Sequence, residues 1–184
     1  WGNSEGSRPP LALKYIAACR AVSQRGAKMF EWRLPGDPLL DFALDHLTLG
    51  RAALYAAVLE KSKIPNLKSE IEQAVSGLRR AGQQDELPKA LLTRAWLRFL
   101  IGARTGPESA QGDLDEAWEI AERGPMKLFM ADIHSYRARL FFREAVYPWE
   151  SPAADLAAAE KLINDCGYHR LDIALMRNSP MQRR

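Results

Sequence analysis

Arg94-Ala95-Trp96-Leu97 is the stretch whose reading decides the fold. The chain reads Arg51-Ala52-Ala53-Leu54 forty-three residues earlier and Arg137-Ala138-Arg139-Leu140 forty-three residues later. Three copies of Arg-Ala-x-Leu at one spacing indicate an internal repeat, and a fixed period of this size is the mark of a repeat architecture. Gly82, Gly124 and Gly167 keep nearly the same beat, each closing a run with helical apolar spacing. No element reads as a strand, so the expected fold is all-α, a solenoid of stacked helix pairs.

Working outward from these copies, the apolar spacing predicts three pairs of helices, in repeats near residues 38–82, 85–124 and 126–167. In the first pair, one helix runs from Leu39 to about Leu59. Leu67, Ile71, Ala74, Val75 and Leu78 stripe the next, with Gly82 as a left-handed cap. The second pair runs from about Glu86 to Ile101 and then through Ala110, Leu114, Ala117, Trp118 and Ala121. The third opens with a helix from Met126 to about Tyr147. It turns at Pro148-Trp149-Glu150-Ser151-Pro152, where Ser151 is suited to an N-cap and Pro152 to the first helical position. Before the first pair, residues 11–34 are helical in spacing and form a partial repeat, with Gly26 as a candidate break. Residues 1–10 read as a flexible leader, His169 to Met176 as a short capping helix, and residues 179–184 as a tail. The helical repeat domain spans residues 11–178.

Composition sets further bounds. With 26 basic and 23 acidic residues interspersed, the chain has no block of like charge to form a nucleic-acid or membrane patch. Cys19 and Cys166 lie far apart with no Cys-x-x-Cys pair, which argues against a zinc site or disulfide framework and for reduced thiols in a cytoplasmic protein. No apolar run approaches the ~18 residues that span a bilayer. The polar start, Trp1-Gly2-Asn3-Ser4, lacks an initiator Met and reads as the start of a fragment.

A helix pair per repeat with a small residue at a fixed packing site resembles the tetratricopeptide repeat. The period of forty-three is longer than the usual ~34 and nearer that of HEAT and armadillo units. Residues 38–52 (PLLDFALDHLTLGRA), 77–88 (GLRRAGQQDELP) and 113–125 (DLDEAWEIAERGP) are similar to stretches of bacterial tetratricopeptide arrays. Such arrays often form the C-terminal arm of STAND-type signalling NTPases. The resemblance implies an α-α superhelix that binds a protein or peptide and serves as the sensor or docking arm of a larger regulator. No Gly-x-x-x-x-Gly-Lys-Ser/Thr occurs, so an NTPase would lie outside this chain. The alternative is a packing or oligomerisation module of the parent protein with no separate ligand.

Two sets of residues are candidates for a role. On a helical wheel Arg51, Arg94 and Arg137 each sit at the centre of an apolar stripe. They are either a ladder that grips an acidic peptide or internal arginines paired with carboxylates such as Asp113, Glu116 or Glu70. The cost of an unpaired buried charge favours the second reading. The opposite strip of each first helix carries His46, Lys89 and Asp132 at matching places, then Leu49, Leu92 and Ser135, then Ala53, Trp96 and Arg139. With Ala52, Ala95 and Ala138 as the close-packing residues, the tetratricopeptide pattern implies that these line the groove. His46, Lys89, Trp96, Asp132, Ser135, Arg139 and Arg143 are therefore the candidate binding residues, with Trp96 as aromatic anchor. The expected ligand is a peptide with an apolar anchor and an acidic group, from another protein or another domain of the parent chain. His46, His134 and His169 fall on separate segments without a second ligand at metal spacing. No nucleophile sits in a Gly-flanked elbow. Neither catalysis, metal nor cofactor is expected.

Overall fold

The computed structural model describes residues 10–62 and 67–167. Among the described residues every regular element is an α-helix: α1 (Pro10–Trp32), α2 (Leu39–Glu60), α3 (Leu67–Ala81), α4 (Leu87–Leu100), α5 (Ala110–Arg123), α6 (Lys127–Phe141) and α7 (Pro152–Cys166). Consecutive helices pack in pairs, α2 with α3, α4 with α5 and α6 with α7. The chain divides into two compact units, Trp1–Gln83 and Gln84–Arg184. The predicted capping helix from His169 lies outside the described residues.

In the first unit α2 is the middle element, packed by α1 and by α3. Gly26 does not break α1, which is continuous through it. Its role is contact: a Cβ built on Gly26 would stand 2.8 Å from Leu49 Cδ2, so the missing side chain is what lets α2 come close. Gly77 does the same between α3 and α2, opposite Ala43. Arg33 fastens the turn that follows α1, with its Nη2 2.7 Å from Asp45 Oδ2 and its Nη1 3.2 Å from Asp41 Oδ2. Gly82 ends α3 at φ +70°, a left-handed conformation open to glycine without steric cost.

In the second unit α5 lies against both α4 and α6, α4 also meets α6, and α7 pairs with α6. Ser109 and Ser151 cap α5 and α7 by accepting hydrogen bonds from Gly112 N and Ala154 N, and Pro152 stands at the start of α7. Ala95, Leu91, Leu114, Ala117, Ile133 and Phe141 fill the core. The three repeat alanines, Ala52, Ala95 and Ala138, are all buried.

α6 ends at Phe141, a turn and a half before the Tyr147 that the spacing predicts. No helix breaker lies between Phe141 and Pro148. The chain leaves the helix because Tyr147 and Trp149 fold back to bond acids of α7 and α5, as described next.

Candidate functional site

The three repeat arginines lie among packed side chains, yet the partners of each differ. Arg94 is buried, and its Nε and Nη2 donate to the Asp113 carboxylate on α5, at 3.1 and 2.7 Å. Arg98 Nη1 donates to the same carboxylate at 2.9 Å. Burial raises the Asp113 carboxyl above its usual range, against the pull of the two guanidiniums. Arg137 is buried between two indoles, its guanidinium 5.0 Å from the Trp118 ring and 4.6 Å from that of Trp149. Its Nη2 reaches Asp115 at 3.3 Å, and its Nε is buried without a hydrogen-bond partner. That burial lowers the Arg137 pKa from its ordinary value. Arg51 is half-buried and bonds the Tyr55 hydroxyl at 3.2 Å.

Of the candidate binding residues, His46 belongs to the first unit and the other six to the second. His46 lies under α1 rather than on an open strip. Its ring lies tilted against Phe30 of α1, centres 4.6 Å apart, and its Nδ1 is 2.7 Å from Glu70 Oε2 on α3. Leu49, one turn on, is the residue seated against Gly26. The strip of α2 that the repeat pattern leaves open is thus occupied by a helix of the same chain.

On α4 and α6 of the second unit the strip is differently built. Trp96 is half-buried, and the guanidinium of Arg139 lies 4.8 Å from its ring centre. The same guanidinium is 4.5 Å from the ring of Tyr136, one turn back on α6. Arg139 is held between the two rings by cation–π attraction. Its Nη2 is buried with no hydrogen-bond partner. Lys89 bonds Glu86 at 2.6 Å, Ser135 and Leu92 are buried, and Asp132 is half-buried. Arg143 is exposed beyond the end of α6, beside its neighbour Phe142. Trp96 and Arg139 are therefore in contact.

A cluster beside Arg137 is absent from the sequence-level candidates. The buried Asp155 of α7 bonds His134 Nδ1 through one oxygen and accepts the Tyr147 hydroxyl through the other. Trp149 Nε1 donates to Asp115 at 2.8 Å. Burial, and then the bond to Asp155, push the Tyr147 hydroxyl well above its ordinary pKa. The available signal is the Ser151-Pro152 cap. It fixes the start of α7 and places Asp155 in its first turn. Both Asp155 oxygens are engaged in holding side chains. Among the described residues no group of three or more His, Cys, Asp or Glu is placed to hold a metal ion. No described helix is long and apolar enough to cross a membrane.

Set against protein-family models, curated proteins and solved structures, the chain matches none.

Proposed function

We propose that this chain is a tetratricopeptide-like α-α superhelix that binds a peptide or helical segment, as the docking or sensor arm of a larger cytoplasmic bacterial regulator. The observation that carries this reading is Arg139. Its guanidinium is clamped between Trp96 and Tyr136, with Nη2 buried and lacking an acceptor. A buried donor without a partner costs on the order of 1–3 kcal/mol. Nη2 is enclosed, so a ligand carboxylate or carbonyl gains this donor by displacing the side chains that cover it, and the half-buried Trp96 beside it is a ring against which an apolar side chain packs. The chemistry suits an acidic peptide with an apolar anchor.

The first unit supports the reading by analogy. There the matching strip of α2, with His46 and Leu49, receives a helix. The same observation favours a second reading, in which these strips serve only to pack or oligomerise the parent protein. Titrating the chain with a fluorescent acidic helical peptide that carries one Leu or Phe anchor separates the two. The scaffold reading expects saturable binding at micromolar concentration, to order of magnitude, weakened by salt because the flanking charges are exposed. It also expects Arg139→Ala to weaken that binding. Binding that is absent, or indifferent to Arg139, leaves the packing reading.

A further inference from the structure

α1 carries two stripes at heptad spacing, displaced from each other by one residue. Ile16, Cys19, Gly26 and Phe30 belong to the stripe that faces α2, and Arg33 follows in the turn just past the helix. Ile16 is buried, Gly26 lies against Leu49, and the Phe30 ring is tilted against those of Phe42 and His46. The second stripe runs Leu11, Tyr15, Ala18, Val22, Met29 and Trp32, by fours and threes, with Arg25 in the remaining place. Its large members face solvent: Leu11 is 61% exposed, Tyr15 52%, Met29 41% and Trp32 70%. Apolar residues recurring every 3.5 positions over three heptads are what a coiled-coil seam requires. Singly exposed apolar residues are ordinary on a protein surface, but a continuous seam along a whole helix is a candidate contact surface.

Charge says what covers it. Arg25 stands within the seam, and Lys14 and Lys28 lie on the flank away from α2, with Glu31 further round. All four are exposed, while Arg20 is committed to Glu60 at 2.7 Å. A second copy of α1 would bring like charges together along that flank. An acyl-chain environment would draw Arg25 in with the apolar residues, and the stripe is too narrow for a helix lying in a lipid interface. A helix with its own apolar seam and acidic residues beside it satisfies both the seam and Arg25.

We propose that the outer face of α1 docks an amphipathic helix of another protein, with an apolar heptad seam flanked by Glu or Asp. This surface is independent of the Trp96–Arg139 strip, and the two stand or fall separately.

The test uses the full chain and two synthetic three-heptad peptides with Leu in the seam, one flanked by Glu and one by Lys. The Glu-flanked peptide should bind at least about tenfold more tightly than the Lys-flanked one. Arg25→Glu should reverse or level that preference. Tyr15→Glu/Met29→Glu should abolish binding with an unchanged helical spectrum, since both positions are exposed, and Trp96→Ala should leave it unaltered. Equal affinity for the two peptides, or none for either, overturns the proposal. So does tighter binding to vesicles containing phosphatidylserine than to the Glu-flanked peptide. Sedimentation as a dimer that Met29→Glu dissociates would assign the seam to a second copy and overturn it likewise.

Discussion

Arg94 and Asp113 form a buried ion pair between α4 and α5, with two guanidinium nitrogens on one carboxylate and side chains only 6% and 2% exposed. Such a pair gains little over well-packed apolar residues, but removing one partner strands a charge. Arg94→Met keeps most of the volume and leaves Asp113 with Arg98 alone. Because Arg98 remains, the loss should fall at the low end for broken buried pairs, about 3 kcal/mol. Arg94→Met/Asp113→Leu should cost clearly less than the two single changes summed. Denaturant midpoints for the cycle measure this, and an unchanged midpoint for Arg94→Met would contradict the buried pairing.

Gly77 offers a case where two opposed terms can be weighed. Alanine is better than glycine within a helix by about 1 kcal/mol. At Gly77 the added methyl would lie 2.8 Å from Ala43 Cβ and 3.4 Å from Ala43 Cα, so no flexible side chain can swing aside. Forced overpacking of this kind costs about 1–3 kcal/mol. Gly77→Ala should therefore lower stability, by about 1 kcal/mol net. Gly36, with nothing within 4 Å of its Cβ position, is the control, and Gly36→Ala should be within about 0.5 kcal/mol of the parent. A stabilised Gly77→Ala in thermal melts would mean α2 and α3 are further apart than described.

Tyr147 predicts a pH dependence. Its folded pKa is raised, by burial and then by its bond to Asp155. An unfolded tyrosine ionises near about pH 10. Above that pH the native state holds a proton the unfolded state has lost, so stability is present below about pH 10 and falls as pH rises. Tyr147→Phe removes this contribution. Its stability should decline less steeply than the parent's between about pH 9 and about pH 11. At neutral pH the change should cost about 1 kcal/mol for the lost hydrogen bond. Equal slopes in alkaline denaturant titrations would show Tyr147 to be in contact with solvent.

Helix positions were legible wherever local chemistry marks them. Gly82 and Gly167 take positive φ at the ends of α3 and α7, and Ser151-Pro152 starts α7 as its residue types require. Partners across helices were less legible. A wheel places Arg51, Arg94 and Arg137 on one face but says nothing of how far a neighbouring helix slides along it. Arg94 meets Asp113 on α5, whereas Glu70 pairs with His46. The end of α6 was illegible for a related reason. Residues 142–147 carry no breaker, and the helix stops because Tyr147 and Trp149 find Asp155 and Asp115, bonds between residues far apart in sequence. Likewise the repeat pattern makes His46 groove-lining, because its place in the repeat is open by pattern. Only the path of α1, with Phe30 against His46 and Gly26 against Leu49, reveals what covers it.

Trp96 provides the sharpest test of whether the second unit presents a binding strip. The ring is half-buried, so part of it is structural: it holds the Arg139 guanidinium at 4.8 Å, a contact of about 1 kcal/mol. Trp96→Ala should thus lower the denaturation midpoint modestly and leave the helical spectrum intact. If the remaining surface anchors a ligand, the same change should weaken binding of the acidic peptide by about 2 kcal/mol, roughly thirtyfold. Trp96→Phe retains a ring for both the cation and an apolar anchor, and should recover most of each. Arg139→Ala should cost binding through the lost donor while also relieving the unpartnered Nη2, so its effect on stability should be smaller than its effect on affinity. This divergence between affinity and stability is the diagnostic feature. If Trp96→Ala unfolds the protein, or if every loss of affinity merely follows the loss of folded protein, Trp96 and Arg139 are packing residues and the strip between α4 and α6 binds nothing.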